Sequence, residues 1–192
     1  MTVPGVSLMT ATTFIAAVGD IRRFADPRKL VGYLGLDPKV RQSDAGAAHQ
    51  GRISKQGASQ VRQMLTEAAI VAVSTPGPLR AFYERVRARR GSQIAIVAVA
   101  RKLAVLFWHL LTREQDYAFQ RPSLTRKKLR GLELRAGAQR HPGRRDLATN
   151  SSYSRRAERA RERELSQQAE VAYRRLVTDW KATRVNKTVA TT

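Results

Sequence analysis

The 192-residue sequence contains no cysteine. Disulfides, thiolate zinc sites, iron–sulfur clusters and cysteine nucleophiles are therefore excluded. Acidic residues are scarce, with 15 Asp and Glu against 36 Lys and Arg. The carboxylates before residue 112 are Asp20, Asp26, Asp37, Asp44, Glu67 and Glu84, and none is paired at a spacing that builds a two-metal site. The three histidines, His49, His109 and His141, stand far apart, so no metal ligand set is expected in this chain. Neither a Walker-type phosphate loop nor a dinucleotide fingerprint occurs. The start lacks a charged segment followed by a long apolar one, so no signal peptide is expected. The apolar run over 94–111 is long enough to span a bilayer, but Arg101 and Lys102 sit at its centre. Each would cost about 2.5–3.5 kcal/mol on insertion. The run is read as a core helix, with no membrane partner.

What remains is a strongly basic chain able to fold. Its formal net charge is +21 and its pI about 11.6. Residues 1–112 hold 16 basic and 6 acidic residues, net +10, and residues 113–192 hold 20 and 9, net +11. The excess is spread over the chain and points to a polyanionic partner, most simply nucleic acid. A hydrophobic content of 42% is enough for a packed core. The length suits one compact domain with an appendage.

Helical periodicity dominates. Phe14, Ile15 and Val18 mark a helix over 8–18, which Gly19 can end. Asp26-Pro27 is a cap followed by Pro at the first helical position, opening a short helix with Leu30, Val31 and Leu34 that stops at Gly35. Val61, Leu65, Ala68 and Ala72 place a helix over 58–73. Thr75-Pro76 opens another that ends before Gly91, and Ser92 is expected to cap the long apolar helix to residue 111. Between Leu36 and Gly57 the period breaks into an irregular loop of turn residues, of a kind that is often functional. Residues 118–153 read as a basic linker rich in Pro and Gly, with one helical turn near 129–135. A charged amphipathic helix follows over 154–183, with Leu165, Ala169, Ala172, Leu176 and Trp180 as its apolar stripe, before a disordered end. The expected fold is thus mainly α: a compact helical domain over 1–117, the linker 118–153, and the tail 154–192.

Two segments could carry chemistry. At the start, Val3-Pro4-Gly5-Val6-Ser7 reads as a tight turn feeding a helix. Gly5 would let the backbone approach a ligand, and the amides of Val6 and Ser7 would lie at a helix N-terminus that favours an anion. The turn resembles that of helix-hairpin-helix modules, which grip a DNA phosphate without reading bases. It departs from them in having Ser7 where a second glycine is usual and in lacking the first helix of the hairpin. A plain N-terminal helix cap accounts for the same residues. In the irregular loop, Ser43 is flanked by Arg41 and followed by Arg52 and Lys55. A serine there could attack a phosphodiester while the cations stabilise the alkoxide and the phosphorane. An ordinary surface serine fits the spacing as well.

The series Val3-Pro4-Gly5-Val6, Gly19-Asp20-Ile21, Leu34-Gly35-Leu36-Asp37-Pro38, Gln42-Ser43, Gly51-Arg52-Ile53-Ser54-Lys55-Gln56-Gly57 and Arg101-Lys102-Leu103 resembles the C-terminal domain of bacterial insertion-sequence transposases with a RuvC-like DEDD domain, the bridge-RNA-guided recombinases. The resemblance covers residues 3–117. It implies transposition and site-specific recombination of DNA, with Ser43 as nucleophile forming a phosphoserine link. Ser54 is a second, weaker candidate. It also implies a structured guide RNA as partner, a homo-oligomer with a composite active site, a bacterial, nucleoid-associated location, and Mg²⁺ held by the DEDD domain, which lies outside this sequence. No cofactor is expected in this chain itself. Arg41, Arg52 and Lys55 are inferred as phosphate contacts from charge and position alone. Asp44 stands where the family commonly has Gly, and its carboxylate would either repel a phosphate or help deprotonate the serine. The chain reads as a truncated or mis-started form that binds nucleic acid without cleaving it alone. The competing reading is a non-catalytic, basic nucleic-acid-binding module.

Overall fold

A computed structural model describes residues 1–41, 49–139 and 148–189, with side chains at 1–40, 51–139 and 155–180. The fold is mainly helical, as the periodicity implies. Seven α-helices are described: α1 (Leu8–Val18), α2 (Pro27–Tyr33), α3 (Ser59–Val73), α4 (Pro78–Arg90), α5 (Ser92–Arg113), α6 (Pro122–Arg135) and α7 (Ala148–Val189). Between α2 and α3 lies an antiparallel pair, β1 (Pro38–Arg41) and β2 (His49–Ile53).

α5 is the central spine, packing against α2, α3 and α4. Its inward residues Ala95, Val99, Ala100, Leu103, Ala104 and Phe107 are all buried. Four of them, Ala95, Val99, Ala100 and Ala104, are small or β-branched, which suits close approach of helix axes. Its length and composition would allow it to cross a membrane. Here it is a core helix, with Arg101 exposed and the Lys102 ammonium 4.8 Å from the Phe82 ring. Phe14 of α1 meets Phe107 edge to face at 5.0 Å, joining the N-terminal helix to the spine.

α1 has the expected bounds and caps. Ser7 Oγ accepts from the Thr10 amide, and Gly19 closes the helix at φ 64°. Its buried face is Thr10, Phe14 and Val18, an i, i+4, i+8 row, while Ile15 is left 54% exposed. α4 begins at Pro78 with Gly77 as cap, two residues later than Thr75-Pro76 suggested. α5 likewise starts from Gly91, and Ser92 makes no capping bond.

The expected linker contains α6, fourteen residues long where a single turn was expected. Pro122 at its start presets helical φ. The rest of its N-terminal cap comes from α7: Glu162 accepts from the Ser123 amide at 2.7 Å and its hydroxyl at 2.5 Å. Eight residues on, Glu170 does the same for α4, accepting from the Gly77 amide at 3.0 Å while pairing with Arg80 at 3.5 Å and Arg174 at 2.7 Å. Two carboxylates of α7 therefore satisfy the orphan donors and macrodipoles of two other helix ends. α7 lies against the domain through this side, with Ser166 and Glu170 buried. The apolar stripe, open from sequence to packing on the domain, on another protomer or on nothing, is not packed on the domain, with Leu165 57% and Leu176 65% exposed.

Candidate functional site

The region expected to be an irregular loop is a clamped hairpin. Arg41 pairs with His49, Val40 with Gln50 and Pro38 with Ile53, with an irregularity between Pro38 and Val40. Residues 42–48 join the paired ends and lie outside the described residues, and with them Ser43 and Asp44. The side chain of Arg41 is also outside them.

The base of the hairpin is fixed by three kinds of contact. Gly35 (φ 66°) and Gly57 (φ 118°) interlock the end of α2 with the exit of β2. A Cβ on Gly35 would run into the Gln56 carbonyl, and one on Gly57 into the Tyr33 carbonyl. Both are thus positions where φ and space demand glycine. Next, the Ser54 amide donates to the Asp37 carbonyl at 2.8 Å, and the Lys55 amide to the Gly35 carbonyl at 3.1 Å. Last, Ser54 Oγ donates to Asp37 Oδ1 at 2.6 Å. The Gly-Leu-Asp-Pro and Arg-Ile-Ser-Lys-Gln-Gly blocks, 35–38 and 52–57 in sequence, are the two jaws of one clamp. Arg62 ties this base to α3 by donating to the Leu34 carbonyl at 3.0 Å.

Ser54 is thereby engaged by Asp37 and sits half-buried at the base of the hairpin. Arg52 and Lys55 are exposed, with Lys39 on the facing strand exposed as well. Lys55 adopts φ 57°, a left-handed conformation that a non-glycine residue holds only when its surroundings impose it. The described charged side chains of the hairpin are cationic apart from Asp37, which is occupied by Ser54. That surface suits an anionic ligand.

The N-terminal turn is built differently from its expected role. Pro4 followed by Gly5 at φ 82° is the order of a type II turn. The face of Gly5 that lacks a side chain is turned to α3, where a Cβ would meet the Ala68 carbonyl and stand 2.9 Å from the Ala72 nitrogen. Val3 and Val6 are buried in the core, and the Val6 amide donates to the Val3 carbonyl at 3.3 Å. Lys128 of α6 closes the turn from outside, its Nζ donating to the carbonyls of Met1 (2.9 Å), Val3 (3.3 Å) and Val6 (2.9 Å). Burial pulls the Lys128 ammonium below its ordinary pKa. The three carbonyls are what keep a partly buried ammonium satisfied there. The close backbone approach that Gly5 permits is thus to another helix of this chain. Ser7 Oγ is the N-cap of α1, as the plain capping account has it.

Arg52, Lys55 and the end of β1 at Arg41 share one hairpin. Gly5, Val6 and Ser7 do not join them. Gly5 contacts α3 at Ala68 and Ala72, well beyond the start of that helix at Ser59, which is about 14–20 Å along its axis. Periodicity did not reveal Asp37 as the partner of Ser54, nor Lys128 as the clasp of the turn. Both are long-range pairs. Among the described residues no three His, Asp or Glu come together as metal ligands.

Residues 1–84 match the transposase IS116/IS110/IS902 family, and that span contains the whole hairpin and Ser43. The chain is 34% identical over 119 residues to the transposase for insertion sequence element IS1111A of Coxiella burnetii, covering 60% of this chain and 32% of that protein. It is 32% identical over 122 residues to a probable family 20 transposase of Pseudomonas aeruginosa, covering 61% and 36%. It is 25% identical over 118 residues to the pilin gene-inverting protein of Moraxella bovis, covering 60% and 37%. Relatives of this chain are insertion-sequence transposases. The chain spans about a third of the length of these relatives.

Proposed function

We propose that this chain is a DNA-transposition component that supplies Ser43 as the nucleophile of strand exchange. The observation carrying this reading is the clamped, cationic hairpin within the span shared with transposases. A nucleophile that must meet a scissile phosphate needs a fixed support and cations around the developing charge. The hairpin base is fixed by Gly35, Gly57 and the Asp37–Ser54 bond. Arg52 and Lys55 provide the cations, with Arg41 at the end of β1. The serine oxygen would bond to phosphorus and one DNA oxygen would leave as an alcohol. Ser54, held to Asp37, braces the hairpin rather than attacking. The N-terminal turn serves as a frame for α1 against α3.

The DNA substrate follows from the relatives, which move or invert DNA segments, and from the net charge of +21. A structured guide RNA and a homo-oligomer with a composite site belong to the same reading. So does Mg²⁺, which would be held by the carboxylates of a RuvC-like DEDD domain outside this sequence. The test is a chimera joining this chain to the remaining part of the IS1111A transposase, assayed for transposition. Ser43→Ala should abolish transposition, and Ser54→Ala should leave it measurable. Undiminished transposition by the Ser43→Ala chimera would remove the nucleophile assignment. The alternative, a non-catalytic basic module, predicts that Ser43→Ala changes nothing while DNA binding falls steeply with salt.

A further inference from the structure

The outward stripe of α7 is self-complementary. Leu165, Ala172 and Leu176 fall at i, i+7 and i+11, the spacing of one helix face, with Ala169 beside them. Leu165 and Leu176 are 57% and 65% exposed, on the flank of a helix whose other side is docked on the domain. Of the charged residues that border this stripe, Arg161, Glu164 and Arg175 have no hydrogen bond or ion pair among the described residues. Their order decides what can cover it. A two-fold axis between residues 170 and 171, perpendicular to the helix, sets Leu165 against Leu176 of a second copy and Ala169 against Ala172. The same axis brings Glu164 within about 3 Å of axial level with Arg175. Glu164 and Arg175 lie on the same flank of the stripe, so the two-fold keeps them on one side of the helix pair. In a parallel pair the two-fold runs along the helices, so Glu164 of one copy and Arg175 of the other fall on opposite sides of the pair and about 16 Å apart in level, and this ion pair does not form. The central alanines allow close approach of the two backbones, and the leucines cover both ends.

We infer that α7 is a dimerisation helix that pairs antiparallel with α7 of a second copy of this chain about the 170/171 position. The inference does not rest on the assignment of Ser43. It names a surface and an orientation for association.

The full chain, freed of nucleic acid by nuclease treatment, should have the mass of a dimer, twice 21.5 kDa. Light scattering or sedimentation over roughly 1–100 µM reads this. Leu165→Glu with Leu176→Glu should give a monomer with unchanged helical content by circular dichroism, because in the single chain both side chains are exposed. Glu164→Arg should raise the dimer dissociation constant about tenfold, and adding Arg175→Glu should restore it. The absence of cysteine makes single thiols clean reporters of direction. Ala172→Cys should cross-link to itself, since the two copies lie about 5 Å apart along the axis. Leu165→Cys alone should not, its copies being about 16 Å apart, but a mixture of Leu165→Cys and Leu176→Cys should. A monomeric wild-type chain, a dimer that survives the double Glu substitution, or self-cross-linking of Leu165→Cys would each overturn the inference.

Discussion

Replacing Gly5 with Ala separates the two roles open to the N-terminal turn. Gly5 holds φ 82°, and an added Cβ would collide with the Ala68 carbonyl of α3 and crowd the Ala72 nitrogen at 2.9 Å. The obstacle is helix backbone, which cannot rotate aside. Left-handed backbone costs an L-residue about 1–2 kcal/mol. Overpacking against a rigid neighbour adds about 1–3 kcal/mol. Together the substitution should cost about 2–5 kcal/mol, a large share of the roughly 5–15 kcal/mol that holds a domain folded. For a chain of this size each kcal/mol lowers the melting temperature by about 2–4 °C, so a fall of roughly 4–20 °C is expected. Circular dichroism melting reads the loss, and fluorescence anisotropy on labelled DNA at a temperature where both proteins are folded reads affinity. Stability should fall while affinity per folded molecule stays the same. An unchanged melting temperature with weakened, salt-dependent DNA binding would refute the packing account and restore Gly5 to a phosphate contact.

Three further outcomes follow from the same contacts. Glu170→Ala removes the acceptor of the Gly77 amide and the partner of Arg80 and Arg174 at a buried position, and should cost about 1–3 kcal/mol, read as a lowered melting temperature. Asp37→Ala frees the Ser54 hydroxyl and loosens the hairpin base, so amide exchange of β2 should accelerate while α5 stays protected; equal protection of β2 in both proteins would count against the clamp. Burial pushes the Tyr117 phenol up from its ordinary value of 10.0 to about 12. The folded state favours the neutral form, so this contribution is fully present below pH 10 and is lost as pH rises through about 12. Wild type should therefore lose stability relative to Tyr117→Phe over that window, and parallel curves would contradict it.

The sequence was most legible where one helix answers to its own residues. Ser7, Gly19 and Asp26-Pro27 are local caps, and they mark α1 and α2 as the structure has them. The buried faces of α3 and α5 follow from spacing alone. Legibility failed where the deciding partner is distant. The cap of α6 is Glu162, 39 residues on, so a Pro-led basic segment read as linker. The docked side of α7 is set by Glu162, Ser166 and Glu170 rather than by its leucines, because capping two helix ends outweighs burying a narrow stripe. The hairpin escaped because β1 has four residues and β2 five, too short for an alternating pattern, and because the glycines that lock it meet other elements. At the candidate site, the cationic character of Arg52 and Lys55 was plain from composition, whereas the bond from Ser54 to Asp37 required the fold.

The most direct measurement is to trap the covalent protein–DNA link in the transposase chimera and locate it by mass spectrometry after proteolysis. The account predicts a nucleotide adduct on the peptide carrying Ser43, absent from Ser43→Ala and retained in Ser54→Ala. An adduct on Ser54, or transposition that continues without Ser43, would contradict it.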